Sequence, residues 1–391
     1  MKKYLANFVF SAKSPPIPKG VLIMDDHGMV LDVLENSDGL EDVLEVEGFL
    51  CPGFVNSHCH LELSHLRGML GEKKGLVDFI SPIIEMRKAS AEVIQSSMRV
   101  AEQEMRANGI VAVGDICNTE DSFGLKSESE MHYHNYIEVL ALDPAKAKSV
   151  FRDGIKLLDQ STEMGMPSSL VPHAPYTASA DLLAMLGEKG RSTGGPLCIH
   201  NQESPHENKL FMDGTGPLRD LYTGLGNDLS FFAPTQTNSL EAVLKSVGGN
   251  VPLLLVHNTY TTTDDLSKVA EYNSQVSYCL CPNANLYIEN RLPDIKLLGA
   301  ADQLMVLGTD SLASNWTLSI LDEMKTISAS DPSIELATLI SWATNNGAKF
   351  LGVDSELGSF EKGKRPGINL IYNVDLENIA IGQRSKVRVL S

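Results

Sequence analysis

The chain has 391 residues, with 32 Lys and Arg against 50 Asp and Glu, a formal charge of -18, and 43% hydrophobic residues. That is ample apolar sequence for a large core, which excludes disorder and fibre. The negative field repels nucleic acid and anionic membrane surfaces, so a small soluble molecule is the expected partner, with self-association left open.

In chain order, residues 1–51 alternate short strand-like runs with turn residues such as Pro15, Pro16, Pro18, Gly20 and Gly28. The prolines interrupt the N-terminal apolar stretch before it reaches the length of an export signal or a membrane span. Eight apolar or β-branched runs follow, each ending in a polar residue and each succeeded by sequence of helical period. They are GFVNSHCH (53–60), IVAVGDI (110–116), YHNYIEVLAL (133–142), SSLVPHAP (168–175), PLCIHNQE (196–203), VPLLLVHN (251–258), QVSYCLCPNAN (275–285) and QLMVLGTDS (303–311). Eight such units predict an α/β chain, a (β/α)8 TIM barrel over residues 52–350. An open doubly wound sheet is the competing reading, but no Gly-rich phosphate loop follows the first run. Residues 351–391 return to short strands and turns around GSFEKGKRPG. The expectation is therefore a small β-sandwich built from 1–51 and 351–391, with the barrel inserted between them.

The polar residues at the run ends are chemically selective. His58 and His60 are two apart on one strand, so both face the same side. His200, His257 and Asp310 end the fifth, sixth and eighth runs, on the face where barrel enzymes carry their chemistry. Three imidazoles and a carboxylate from this set suit one divalent ion, zinc or iron, with room for a water whose pKa would fall toward ~7. The fourth run ends without a lysine that could be carboxylated to bridge a second ion, so one ion is expected. Glu203, just beyond His200, can shuttle a proton or serve as an ordinary helix-start carboxylate. His173 is either a packed strand-end imidazole or a substrate contact. Glu62 points inward if the first strand persists, or pairs with Arg67. Cys279 and Cys281 read as buried strand residues, and six sparse cysteines in all suit a reducing, cytoplasmic setting.

These strings, in this order, resemble the amidohydrolase superfamily and its mononuclear deaminase and chlorohydrolase branch: PGFVNSHCHLELS, VPHAPYTAS, IHNQE, LVHN, CPNANLYI, LGTDSLASN and ATNNGAKFLGVDSELGSFEKGK. The resemblance implies His58, His60, His200 and Asp310 as metal ligands, and Glu203, His257 and Asp310 in catalysis. His173 falls where relatives contact substrate. HLELS and GTDSLASNWTLSILDEM resemble one sub-branch, the aminodeoxyfutalosine deaminases of an alternative menaquinone route. The activity so implied is hydrolytic deamination of an aminated purine nucleoside or related heteroaromatic ring. Chloride displacement, cyclic amide opening and an inactive metal-binding scaffold are the alternatives. Around the ring, Glu62, Asn285 and Arg291 join His173 as expected substrate contacts, with Arg67 and Arg87 in segments that could bring positive charge to the mouth.

Overall fold

The computed structural model describes residues 1–272 and 275–390. Its first five strands are β1 (Lys2–Val9), β2 (Ile17–Pro18), β3 (Val21–Met24), β4 (Val30–Leu34) and β5 (Leu44–Pro52). Eight strands follow at the predicted runs: β6 (Phe54–Cys59), β7 (Ile110–Cys117), β8 (His132–Val139), β9 (Ser168–Pro172), β10 (Leu197–Asn201), β11 (Leu253–His257), β12 (Val276–Leu280) and β13 (Leu304–Leu307). The last two are β14 (Ile368–Tyr372) and β15 (Lys386–Leu390).

The eight central strands are parallel and pair as two sheets, β6-β7-β8-β9 and β10-β11-β12-β13. Every residue of β6, β10, β11 and β12 is buried, which is why these strands are apolar without alternation. Helices between them start on side-chain caps, among them Ser90, Asp143, Ser179, Ser204 and Ser319, each accepting a backbone N–H of the first turn. The sheets meet at two seams. On one, the amides of Thr309 and Asp310 donate to the carbonyl of His58 at 3.0 and 3.1 Å, next to an isolated bridge between Cys59 and Asp310. On the other, the His200 amide donates to the His173 carbonyl at 2.9 Å. Pairing at the seams stops at these few bonds, so the ladders read as two sheets of four and not as one continuous ring. One buried cluster nevertheless draws on all eight strands, through Val55, Ala112, Tyr136, Val171, Cys198, Leu254, Cys279 and Val306. Gly308 permits the first seam: a Cβ there would lie 2.9 Å from both the His58 Cβ and the Cys279 Sγ.

The strands of the two chain ends form a single seven-stranded sheet, where two facing sheets were the expectation. The reason lies in β5, which pairs parallel with β1 on one edge and antiparallel with β14 on the other. That joins N-terminal and C-terminal strands edge to edge. No helix among the described residues is long and apolar enough to cross a membrane.

Candidate active site

The C-terminal ends of the parallel strands carry the clustered donors. His58 lies within β6, His60 immediately follows it, His200 lies in β10, and Asp310 lies just past β13. The Nε2 of His60 is 3.1 Å from Nε2 of His58, 3.2 Å from Nε2 of His200 and 3.3 Å from Oδ1 of Asp310. The Nε2 of His58 is 3.5 Å from the same Oδ1. A ring nitrogen carries at most one proton, so His60 can satisfy only one of three such neighbours by hydrogen bonding. Around a tetrahedral ion with ligands at about 2.0–2.1 Å, donor atoms stand about 3.3 Å apart. The four donor atoms therefore fit a shared cation.

Their protonation suits that reading. Burial pushes His60 and His200 well below the ordinary imidazole range, and neighbouring imidazoles add to the effect. Burial works against ionised Asp310, but its hydrogen bond with His58 and the adjoining imidazoles hold it well below the usual carboxylate range. Their surroundings thus favour lone pairs on His60 and His200 and an anion on Asp310. Partners behind the cluster fix its orientation: Nδ1 of His200 is 2.8 Å from the His173 carbonyl, and Nδ1 of His58 is 3.4 Å from the Cys198 Sγ. The Ser314 hydroxyl donates to Oδ2 of Asp310. Asp310 and His257 hold φ of 58° and 74°, left-handed values that cost an ordinary residue energy and recur at functional sites.

Glu203 and His257 stand beside this cluster. The Oε1 of Glu203 is 3.7 Å from Nε2 of His257, and both side chains are buried. Burial, then the charges of Asp310 and Glu207, push Glu203 well above the usual carboxylate range, which favours its protonated form. Burial pushes His257 down to about 4. The backbone that presents Glu203 is clamped by Glu207, whose carboxylate accepts the amides of Gln202, Glu203 and Ser204 at 3.1, 2.8 and 3.2 Å. This is a capping box at the start of the helix Pro205–Asp213.

His60, His173, His200, Glu203, His257 and Asp310 all border one cavity of about 640 Å³. Beyond them its wall becomes apolar, with Phe79, Ile83, Leu221, Leu225 and Leu229, and Arg87 and Lys146 also line it. Three expected substrate contacts do not reach it. Strand β6 stops at Cys59 and a 3-10 helix occupies Leu61–Leu66, so Glu62 turns instead onto the amides of Asn118 and Thr119, at 3.1 and 3.2 Å, and the Ser122 hydroxyl. The run through Asn285 breaks at Pro282 into the helix Pro282–Ile288, which buries Asn285 against the Thr259 hydroxyl, beside His257. The exposed Arg291 lies over the Tyr260 ring, 4.6 Å from its centroid. Arg67 forms a two-bond pair with Glu104 at 2.7 and 2.9 Å and does not pair with Glu62. All six cysteines are buried and free.

Compared with known families, residues 49–387 match the model of the amidohydrolase family. The chain belongs to the amidohydrolase family. This amidohydrolase is 28% identical to the aminodeoxyfutalosine deaminase of Deinococcus radiodurans over 314 residues, 78% of this chain and 73% of the relative. It is 26% identical to a 5-methylthioadenosine/S-adenosylhomocysteine deaminase of Natronomonas pharaonis over 359 residues, 86% of this chain and 76% of that one. The crystal structure of Helicobacter pylori aminofutalosine deaminase with methylthio-coformycin superimposes with a TM-score of 0.82 at 21% identity, covering 97% of this chain and 95% of the other. At that identity the likeness establishes the fold.

In the amidohydrolase site, sequence reading overlooked Glu138, Asn118, Glu207 and Ser314. Glu207 had a local signal, because Ser204 three residues earlier completes a capping-box spacing. Glu138 had none. It stands inside the third strand run, and only the folded chain puts Asn118 beside it, with Nδ2 of Asn118 donating to Oε2 at 2.8 Å.

Proposed function

We propose that this amidohydrolase is a metal-dependent hydrolytic deaminase of an aminated purine nucleoside, with 6-aminodeoxyfutalosine as its substrate. The observation that carries the reading is the buried pair of Glu203 and His257 standing beside four convergent metal donors in one cavity. His58, His60, His200 and Asp310 would hold one divalent ion, zinc by preference and iron as the alternative, since imidazole and carboxylate donors suit both. When bound, such an ion supplies a Lewis acid that brings water's pKa toward ~7.

The chain's own groups then divide the proton traffic. Glu203 gives its proton to the ring nitrogen beside the amine-bearing carbon as a water oxygen adds to that carbon. Asp310 accepts the water proton, its second oxygen held by Ser314. His257 orients the attacking oxygen through a ring nitrogen that has no other partner among the described residues. The Asp310 proton passes to the amine, the C–N bond breaks, and the proton of the added hydroxyl returns to Glu203 as the ring carbonyl forms, so one water is consumed and one ammonia released.

The cavity extends well past the room a bare base needs, along apolar wall toward Arg87 and Lys146. An aryl carboxylate on the far side of the sugar suits that composition. The same reading takes the two four-stranded sheets as one (β/α)8 barrel over 52–350, supported by the cluster drawn from all eight strands, and 1–51 with 351–391 as a second, β-rich unit. Free buried thiols favour a cytoplasmic setting. An ammonia-release screen over aminated nucleosides and bases tests the substrate. The expected result is kcat/KM for 6-aminodeoxyfutalosine about tenfold or more above adenosine, equivalent to about 1.4 kcal/mol. Faster turnover of adenosine, guanine or cytosine would remove this substrate while leaving deamination in place.

A further inference from the structure

Glu138 is 7% exposed and borders the cavity. Its Oε2 accepts the Asn118 Nδ2 at 2.8 Å, and Oδ1 of Asn118 accepts from Arg87 at 3.3 Å, so the carboxylate is held by a short relay. Its other oxygen, Oε1, is buried and has no hydrogen-bond partner. Buried polar atoms in folded proteins are almost always paired, and a lone acceptor on a cavity wall asks for a donor from whatever fills the cavity. Glu138, His173 and His200 have donor atoms within 4.8 Å of one another, but a second cation is not the answer. His200 has no nitrogen left to give, since Nδ1 faces the His173 carbonyl and Nε2 faces His60.

Location narrows the donor. Glu138 has a donor atom within 4.8 Å of His200 on one side and is tied through Asn118 to the cavity-lining Arg87 on the other, so on the reading of the site as a nucleoside deaminase, on which this inference rests, it faces the group that links the reacting ring to the rest of the ligand. That group is the sugar. We propose that Oε1 of Glu138 accepts a hydrogen bond from a sugar hydroxyl and makes the protein selective for ribonucleosides over hydroxyl-free analogues. Glu138 acts here in substrate binding and takes no part in proton transfer. Glu62 supports it from behind, by fixing the Asn118 amide.

Calorimetric affinities for inosine and 2′,3′-dideoxyinosine, measured on the wild-type protein, Glu138→Leu and Glu138→Gln, test this without relying on turnover. The wild type is expected to prefer inosine by about 30-fold, as a buried acceptor left unpaired would demand. Glu138→Leu removes the acceptor and should cut the preference to about threefold or less, through weaker inosine binding alone. Glu138→Gln keeps the side-chain volume, and with its oxygen toward Asn118 it presents an N–H to the cavity, so its preference should fall as well. An unchanged preference in either folded variant, or equal weakening of both ligands, overturns the proposal. Ammonia release from adenosine by the wild type is scored separately. If it is absent while the Glu138-dependent preference persists, the deaminase reading falls and the sugar contact stands.

Discussion

The carboxyl of Glu203 lies 3.7 Å from Nε2 of His257, with both groups buried and with burial raising the pKa of Glu203 well above the usual carboxylate range. An acid whose pKa is raised, beside an imidazole kept neutral by burial, is the pairing that protonation of a substrate ring requires. Glu203→Gln keeps the shape and loses the proton, so kcat should fall by roughly two to four orders of magnitude with metal content and melting temperature preserved. Because the acid form is the working form, the wild-type rate should also decline as pH rises past the raised pKa of Glu203. Near-normal turnover by Glu203→Gln would return the residue to the role of a helix-start carboxylate.

The four-donor cluster makes a stoichiometric prediction. Purified protein should take up close to one equivalent of zinc or iron, and His200→Ala should lose most of it, since His200 supplies one of three ring nitrogens. Elemental analysis decides. Two tightly held equivalents, or undiminished metal in His200→Ala, would count against a single shared ion.

Glu207 touches neither the donor cluster nor the cavity, yet it holds three consecutive amides around Glu203. Glu207→Ala releases that turn, and Glu203 loses its position relative to His257. The expected outcome is a fall in kcat of about ten- to a hundredfold with one equivalent of metal retained, as displacement of a catalytic group by about an ångström produces. An unaltered kcat in a folded Glu207→Ala protein would show that the turn holds its shape without the clamp.

Glu207 also sets a pH dependence of stability. Burial raises its pKa to about 7 against a reference of 4.5, although the three amides pull the other way. The folded state therefore binds a proton that the unfolded chain releases between those values. Its stabilising contribution is full below about pH 4.5 and is lost as pH rises through about 7, a change of about 3 kcal/mol. Denaturant unfolding of wild type and Glu207→Gln across pH 5 to 8 should show the wild type losing ground to the variant as pH increases. A constant difference would mean that Glu207 stays ionised in the fold.

What could be read from the sequence was whatever strand periodicity controls. His58 and His60, His200, His257 and Asp310 all sit where an apolar run stops, and a parallel sheet gathers such ends at one edge without help from distant sequence. The eight central strands were legible for the same reason. Misplaced residues lie where a run stops being a strand. Glu62 and Asn285 were assigned by extending strands that the chain converts to helix after Cys59 and at Pro282. Arg291 was assigned by its charge, and in the fold an aromatic face at Tyr260 engages that charge first. Glu138 and Asn118 were out of reach because their meeting depends on the loop after β7, whose path is set by Glu62. The single sheet of the chain ends was equally hidden, since nothing local announces that β5 pairs on both edges.

Ammonia release measured together with oxygen incorporation from 18O-labelled water tests the central claim most directly. With 6-aminodeoxyfutalosine and the zinc-loaded enzyme, the account predicts one ammonia per nucleoside consumed and one labelled oxygen on the carbon that carried the amine. Consumption of the nucleoside without ammonia, unlabelled product, or no turnover across the aminated purines would contradict it.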